Sequence, residues 1–434
     1  MGGSAVSKPK TTGRVNLPNL AIVLVGLAAL GLIAVSFTRL IDSLSSPSSA
    51  TDFTQYYLAA RAVLEGRSAY SDLAERAVAA GTQMWTDSAP YPPVFQLIML
   101  PFAGMEYGMA WWSWSLLSLA CIGLAVLVIY RTIGLRIPLA ALPLVTAALA
   151  SFAPLHHQVL FGQVTGLLFL LITFTWFFYR RGWYGAAGWL LGLTCALKPF
   201  PAPLALYFLR QRNWRALAAT GASFVLFTLL GAFPLGPGQI LTYYRDILPK
   251  LSQYYDGLGN ASVFGLVYKA PVVLPEDPAG QVLAFFPQSA VAAVLALAVL
   301  VYALRGCDRQ PSNGRTADME ISALIPAILL ASPITWPHYL VFLYLPGLVW
   351  LARFREGEVA SRSILRLFLL AVVLLSVPAP TGLIAWLLTA GEGAGLVLGR
   401  VAALLVTSLG CAGLAILLWT GVAVLRQRRA YAAA

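Results

Sequence analysis

Two side chains that could bind a ligand or take part in a reaction lie at proline-rich breaks in otherwise apolar sequence. Lys198 lies in LLGLTCALKPFPAPL and His338 in SPITWPHY. A lysine in hydrocarbon is costly and therefore indicates function by default, and a phosphate is a suitable ligand for it. Snorkelling of Lys198 to the interface is the structural alternative. For His338, a satisfied structural histidine competes with an acid, a base or a phosphate donor.

A carboxylate of interest, Asp52, opens the stretch DFTQYYLAARAVLEGRSAY after a Ser/Pro-containing linker. At this position a carboxylate serves either as a helix N-cap without chemistry or as a general base for a hydroxyl. Apolar and aromatic residues follow at helical spacing, and a second helical stretch runs near Leu73 to Met84. We therefore expect short amphipathic helices that lie on the membrane. The spaced residues are Phe53, Tyr56, Tyr57, Ala60, Val63 and Leu64.

The elements that must position these residues are membrane helices. The chain has 434 residues, of which 59% are hydrophobic and 11% charged, with a mean hydropathy of +0.77. An ordinary globular domain carries about a quarter charged residues. The composition thus predicts an all-α, polytopic membrane protein with about 10 to 12 transmembrane or re-entrant helices.

The net charge of +12 does not indicate nucleic acid, because the basic residues form short clusters between apolar runs, as the positive-inside rule predicts. With these clusters in the cytoplasm, both termini are cytoplasmic, with tails at 1–19 and 427–434. Residues 42–91 then form an external loop, and residues 1–434 form one integral membrane domain. The predicted spans are 20–40, 108–130, 137–155, 164–179, 183–197, 199–209, 216–234, 282–304, 321–333, 337–352, 364–389 and 399–425.

Two pairs of spans, 183–209 and 321–350, are too short to cross a bilayer twice, so each predicts a broken or strongly tilted hairpin. Irregular backbone at membrane depth is tolerated where it lines a buried or watery cavity. The same topology places Asp52, Gln163, Lys198, Asn260 and His338 near the outer side. The sequence therefore predicts one external site at the proline breaks.

Several stretches, taken in order, resemble glycosyltransferase family 87, the bacterial polyprenyl-phosphate-sugar-dependent mannosyltransferases of the GT-C superfamily. The resemblance spans most of the chain. The matching stretches are DFTQYYLAARAVLEGRSAY (52–70), YPPVFQLIMLP (91–101), GQVTGLLFLL (162–171), GWLLGLTCALKPFPAPL (188–204), GNASVFGLVYK (259–269) and SPITWPHY (332–339).

This resemblance implies a GT-C-type bundle in the plasma membrane whose active site faces the exterior. The implied enzyme moves a sugar, typically mannose, from a polyprenyl monophosphate to a hydroxyl of a lipid-linked or glycan acceptor; mycobacterial relatives use a phosphatidylinositol mannoside. The acidic residue of the family's first loop falls on Asp52, as general base for inverting attack. Lys198 and His338 fall on phosphate-binding motifs. The expected substrate contacts are Tyr56, Tyr57, Gln163, Asn260 and Tyr339.

The partners expected are the lipid-linked sugar, the acceptor and membrane lipids, with no nucleic acid. No cofactor is expected, and no metal, because no acid-rich constellation is visible in the sequence. The alternative is a transporter or flippase of a lipid-linked sugar, since broken helices around a polar cavity also describe transporters. The lack of an obvious internal repeat disfavours that alternative.

Overall fold

The computed structural model describes residues 17–45, 51–79, 89–233, 235–274, 287–310, 314–358, 361–376, 381–389 and 394–433. Most of the predicted N-terminal tail and parts of the predicted external loop lie outside these residues. The described residues form helices and turns without a strand. The prediction of an all-α protein is confirmed.

The α-helices differ widely in length. In chain order they are α1 Leu17–Leu44, α2 Thr51–Leu64, α3 Leu73–Ala79, α4 Pro93–Ala103, α5 Tyr107–Ile133, α6 Leu142–Ala150, α7 Ala153–Leu160, α8 Thr165–Arg180, α9 Tyr184–Leu197, α10 Ala205–Arg210, α11 Trp214–Leu230, α12 Pro237–Thr242, α13 Val263–Val273, α14 Gln288–Arg305, α15 Gly314–Ala331, α16 Tyr344–Arg355, α17 Arg362–Ser376, α18 Thr381–Thr389, α19 Ala394–Thr407 and α20 Leu409–Ala433.

Four of the described helices, α1, α5, α14 and α20, are long and apolar enough to cross a bilayer, and six further apolar helices have 10 to 17 residues. The shorter ones fall short of the roughly 20 residues that a perpendicular span requires, so they suit re-entrant segments. The chain is a membrane-embedded bundle of spanning and broken helices, as the composition predicted.

The boundaries of several predicted spans change. The region predicted as 137–155 contains α6 and the start of α7. The region predicted as 399–425 contains the end of α19 and most of α20, and these two helices meet at Ser408. The helices α4 and α13 were not predicted as spans. Each has only 11 residues and carries an internal proline, Pro101 or Pro271, so its apolar run is shorter than the roughly 20 residues that a span requires.

Both predicted broken hairpins are present. Helix α9 ends at Leu197, and a 3₁₀ turn over Ala202–Leu204 leads into the six-residue α10. Lys198 is extended, with φ −157° and ψ 117°, as expected for a residue before proline. In the second hairpin, α15 ends at Ala331 and a 3₁₀ segment, Pro337–Leu343, leads into α16.

Helix α2 is buried on nearly every side, with Phe53, Tyr56 and Ala60 fully inaccessible. It packs mainly against α4. The sequence therefore placed a helix in the first loop correctly, but the expectation that it lies on the membrane surface is wrong for α2. Its aromatic side chains pack into the protein.

Far from the proline breaks, the basic clusters meet in a polar layer, here called the basic layer, formed by Arg180, Asp318, Arg353, Asp308 and Arg429. Asp318 accepts from Arg180 at 2.8 Å and from Arg353 at 3.0 Å. Arg429 contacts Asp308 at 2.8 Å. These contacts gather residues from four helices and a loop, and they bring Arg180, Arg353 and Arg429, from three of the basic clusters, to one end of the bundle.

Candidate active site

The opposite end of α8 and α9 from the basic layer adjoins a cavity of about 310 Å³. This catalytic cavity is walled by the start of α2, the turn before α8 and the two proline breaks. Its lining residues are Asp52, Gln55, Pro90, Tyr91, Phe161, Gln163, Lys198, Leu251, Tyr254, Ile334, Trp336, Pro337, His338 and Tyr339. Five predicted site residues, from four distant parts of the chain, thus meet at one place.

Asp52 is the second residue of α2, inside the first helical turn and one position beyond its start, so it is not the N-cap. Its Oδ2 accepts a hydrogen bond from Gln163 Nε2 at 2.5 Å. Burial raises the pKa of Asp52 to about 6, against the opposing effects of this hydrogen bond and of Lys198. A carboxylate with such a pKa is close to the working pH of a general base.

Lys198 directs its ammonium into the catalytic cavity. Nζ donates to the Tyr91 hydroxyl at 2.9 Å. It also lies 4.4 Å from the ring centroid of Tyr339 and 4.8 Å from that of Tyr91. Two aromatic faces around an ammonium stabilise its charge without neutralising it. The cation is therefore held among protein groups, where an anionic ligand can approach.

His338 is 4% exposed and follows Pro337 at the start of the 3₁₀ segment. Its Nε2 is buried without a hydrogen-bond partner among the described residues. A buried polar atom of this kind generally has a partner, so an unpaired one in a cavity wall points to a ligand. The imidazole is suited to donate a hydrogen bond to that ligand.

The remaining predicted residues take different places. Tyr56 lies behind the wall, with its hydroxyl 2.7 Å from that of Tyr91. Tyr57 faces away and donates to Met105 O at 2.9 Å. Asn260 is fully buried; its Nδ2 donates to Pro333 O at 3.0 Å and its Oδ1 accepts from Thr335 N at 2.9 Å. None of the three is a lining residue, so none is placed to touch a substrate in the catalytic cavity.

Tyr91, Gln55 and Trp336 line the cavity but were not singled out from the sequence. Tyr91 begins one of the stretches that carry the family resemblance, YPPVFQLIMLP, and Trp336 lies in another, SPITWPHY. The available signal was therefore membership of these stretches. Gln55 had only its position one helical turn after Asp52.

The arrangement places a carboxylate, an ammonium and an imidazole around one cavity. The carboxylate can take a proton from a hydroxyl, and the two nitrogen groups can stabilise negative charge as it grows on a leaving phosphate. No group of three or more His, Cys, Asp or Glu side chains suited to a metal occurs among the described residues. The expectation of a metal-free reaction stays a prediction.

Comparison with known proteins identifies the class. The family model of glycosyltransferase family 87 matches residues 90–333, more than half of the chain. This protein is a membrane glycosyltransferase, and the chain belongs to glycosyltransferase family 87. Lys198 and Gln163 lie within the matched segment, while Asp52 and His338 flank it.

The chain is 26% identical over 314 residues, 69% of its length, to a polyprenol-phosphate-mannose-dependent α-(1-2)-phosphatidylinositol mannoside mannosyltransferase of Mycolicibacterium smegmatis, of which 68% is covered. It is 28% identical over 186 residues to an α-(1→3)-arabinofuranosyltransferase of Mycobacterium tuberculosis, with 41% of this chain and 42% of that one covered. A structure of ArnT from Cupriavidus metallidurans bound to undecaprenyl phosphate overlaps 91% of this chain and 76% of that chain at 16% identity and a TM-score of 0.34, too distant to carry an argument.

Proposed function

We propose that this enzyme transfers a sugar, mannose in the first place, from a polyprenyl monophosphate to a hydroxyl of a lipid-linked or glycan acceptor. The observation that carries the proposal is the meeting of Asp52, Lys198 and His338 in the catalytic cavity. A volume of about 310 Å³ is at the small end for ligand pockets and suits a monosaccharide with its phosphate.

In the proposed reaction, Asp52 takes the proton of the acceptor hydroxyl, and the oxygen attacks the anomeric carbon of the donor sugar. The bond between that carbon and the phosphate oxygen breaks, and its electron pair remains on the phosphate. Lys198 and His338 stabilise the charge of the departing polyprenyl phosphate. Attack opposite the leaving group inverts the anomeric configuration.

The geometry of the bundle supports an active site on the outer face. Helix α8 runs from Thr165, next to Gln163, to Arg180 in the basic layer. Its 16 residues rise by about 24 Å, most of the thickness of a hydrocarbon core. If the basic layer is cytoplasmic, the catalytic cavity faces the exterior, and the C-terminal end of α20 is cytoplasmic.

A second cavity, of about 360 Å³ and mainly apolar, shares Pro337 with the catalytic cavity. This apolar cavity also contacts Leu340, Leu375 and Ile384. Because Pro337 lines both cavities and precedes His338, an isoprenoid chain on a phosphate held at His338 would have the apolar cavity beside it. Leu375→Trp on α17 should raise the KM for a long-chain donor more than for a short-chain donor; equal effects on both would argue against this path.

The function is tested with the purified protein and two labelled donors, polyprenyl-phosphate-mannose and polyprenyl-phosphate-arabinofuranose, against membrane lipids as acceptors. The arabinose donor is included because one relative is an arabinofuranosyltransferase. We expect transfer of mannose with an anomeric configuration opposite to that of the donor. Transfer of arabinose alone would reassign the donor, and retention of the anomeric configuration would exclude direct attack. Movement of intact donor across the membrane of proteoliposomes, without any transfer of sugar, would establish the flippase alternative.

A further inference from the structure

Gln163 bridges Asp52 to the aromatic wall of the catalytic cavity. Its Nε2 donates to Asp52 Oδ2 at 2.5 Å. At the other end of the same amide, Oε1 lies 3.1 Å from the Tyr56 hydroxyl and 3.3 Å from the Tyr91 hydroxyl. Every polar atom of the side chain is therefore engaged by protein, which leaves it poorly suited to the substrate contact expected from the sequence.

The two tyrosines select the orientation of this amide. Lys198 Nζ donates to the Tyr91 oxygen at 2.9 Å, so the Tyr91 proton is free to point at Gln163. An amide oxygen accepts such a proton, whereas the NH2 group would meet it donor to donor. With the oxygen toward the tyrosines, the NH2 group must face Asp52.

The turn that carries Gln163 is itself fixed. Gly162 has φ +64°, and an added Cβ there would lie 2.6 Å from both Phe53 Cβ and the Trp111 ring. Trp114 Nε1 donates to Gly162 O at 2.7 Å, and Phe53 N donates to Phe161 O at 3.1 Å. The first turn of α2 and the turn at 161–163 are thus in direct contact through Phe53, next to the Asp52–Gln163 hydrogen bond.

We propose that Gln163 is a positioning residue that holds one oxygen of the Asp52 carboxylate, leaves the other for the acceptor hydroxyl, and keeps the carboxylate ionised. This rests on the proposed role of Asp52 as general base. A hydrogen bond donated to a carboxylate favours its charged form. Loss of Gln163 should therefore impair proton removal and move the pH dependence, with little effect on donor binding.

The charged and titratable groups facing Asp52 must be considered together. They are Lys198, His338, Tyr56, Tyr91 and Tyr339. The tyrosines ordinarily titrate near pH 10. Burial lowers the pKa of Lys198 to about 7, but acidification adds positive charge to this lysine and so strengthens its contact with a phosphate. Protonation of His338 would add positive charge beside the leaving phosphate and support the reaction. A loss of rate on acidification therefore reports Asp52 rather than its neighbours.

The test compares Gln163→Met, which has similar length without a donor, with wild type and with Gln96→Met as control. Gln96 is a fully buried glutamine on α4 that does not line the catalytic cavity. Initial rates are measured from about pH 4.5 to 8, across the ordinary range of carboxyl and imidazole groups. For Gln163→Met we expect kcat to fall about 10- to 100-fold and the donor KM to stay within about threefold of wild type. The acid limb of its pH–rate profile should move to higher pH by about one unit. Gln96→Met should match wild type.

The proposal would be overturned if Gln163→Met lowers kcat without moving the acid limb of the pH–rate profile. A large rise in KM alone would instead show that Gln163 is a substrate ligand. If Gln163→Met fails to fold, Tyr91→Phe serves instead, because it removes a hydroxyl that orients the amide. Tyr91→Phe should shift the acid limb of the pH–rate profile in the same direction. An unmoved acid limb in a folded Tyr91→Phe protein would again count against the proposal. Full activity of Asp52→Asn would instead show that the proposed function, rather than the positioning, has failed.

Discussion

The proposed role of Asp52 as general base predicts how transfer depends on pH. Burial raises the pKa of this carboxyl to about 6, compared with about 3.9 for an ordinary aspartate. A general base acts in its ionised form, so the rate should be maximal above the pKa and fall as the pH drops through it. With a pKa near 6, about one tenth of the enzyme is ionised at pH 5, against more than about nine tenths for an ordinary aspartate.

The assay measures initial transfer of labelled mannose at saturating donor and acceptor from about pH 4.5 to 8, a range centred near the expected pKa. The donor is a phosphodiester and keeps its single charge throughout. We expect the rate at pH 5 to be about a tenth of the plateau. Enzyme returned from pH 5 to neutral pH must recover full activity, which excludes acid denaturation. A plateau that continues down to pH 5 would refute the reasoning.

Three further predictions concern the leaving group, the packing and metals. Lys198→Met should raise the KM for the donor about tenfold or more, and Lys198→Arg less; an unchanged KM would contradict phosphate binding. Gly188→Ala should lower the Tm of the detergent-purified protein by about 5 °C, because the added Cβ would lie 2.0 Å from Ala216 O. Gly221→Ala should leave the Tm unchanged, because its added Cβ would meet no other part of the protein within 4 Å. Equal Tm values for the two variants would contradict this account of the packing. EDTA should leave turnover intact; a loss reversed by Mg²⁺ or Mn²⁺ would show a metal requirement.

The sequence was most informative where a polar residue conflicts with its apolar surroundings. A lysine beside proline in an apolar run must find a protein or watery environment, and Lys198 lines the catalytic cavity. The same reasoning located the break before His338. These positions could be recognised because the bilayer makes each such residue costly.

Burial could not be read from the spacing in α2. Its pattern of aromatic and small residues fits a helix on a membrane surface as well as one enclosed by protein, since lipid and protein interior are both apolar. The structure resolves this, with Phe53 and Tyr56 fully buried. The tertiary neighbours α4 and α5 decide the outcome, and a local pattern does not contain them.

The sequence also could not predict which residues line the cavity and which support it from behind. Tyr57 and Asn260 were predicted to contact substrate, yet they contact Met105 and the 333–335 loop instead. Tyr91 lines the cavity, and apart from its place in the stretch YPPVFQLIMLP nothing in its sequence distinguishes it from an interfacial aromatic. A shift of one helical position changes which side a residue faces, so this division requires the three-dimensional packing.

The central claim, that Asp52 acts as the base of a polyprenyl-phosphate-dependent sugar transfer, is tested most directly by comparing wild type with Asp52→Asn. Purified, folded proteins are given labelled polyprenyl-phosphate-mannose and membrane lipids, with Asp246→Asn, an acid outside the cavity that pairs with Arg245, as control. We predict transfer by wild type and by the control, and a loss of at least about 100-fold in Asp52→Asn. Transfer by Asp52→Asn at a rate close to wild type would contradict the account.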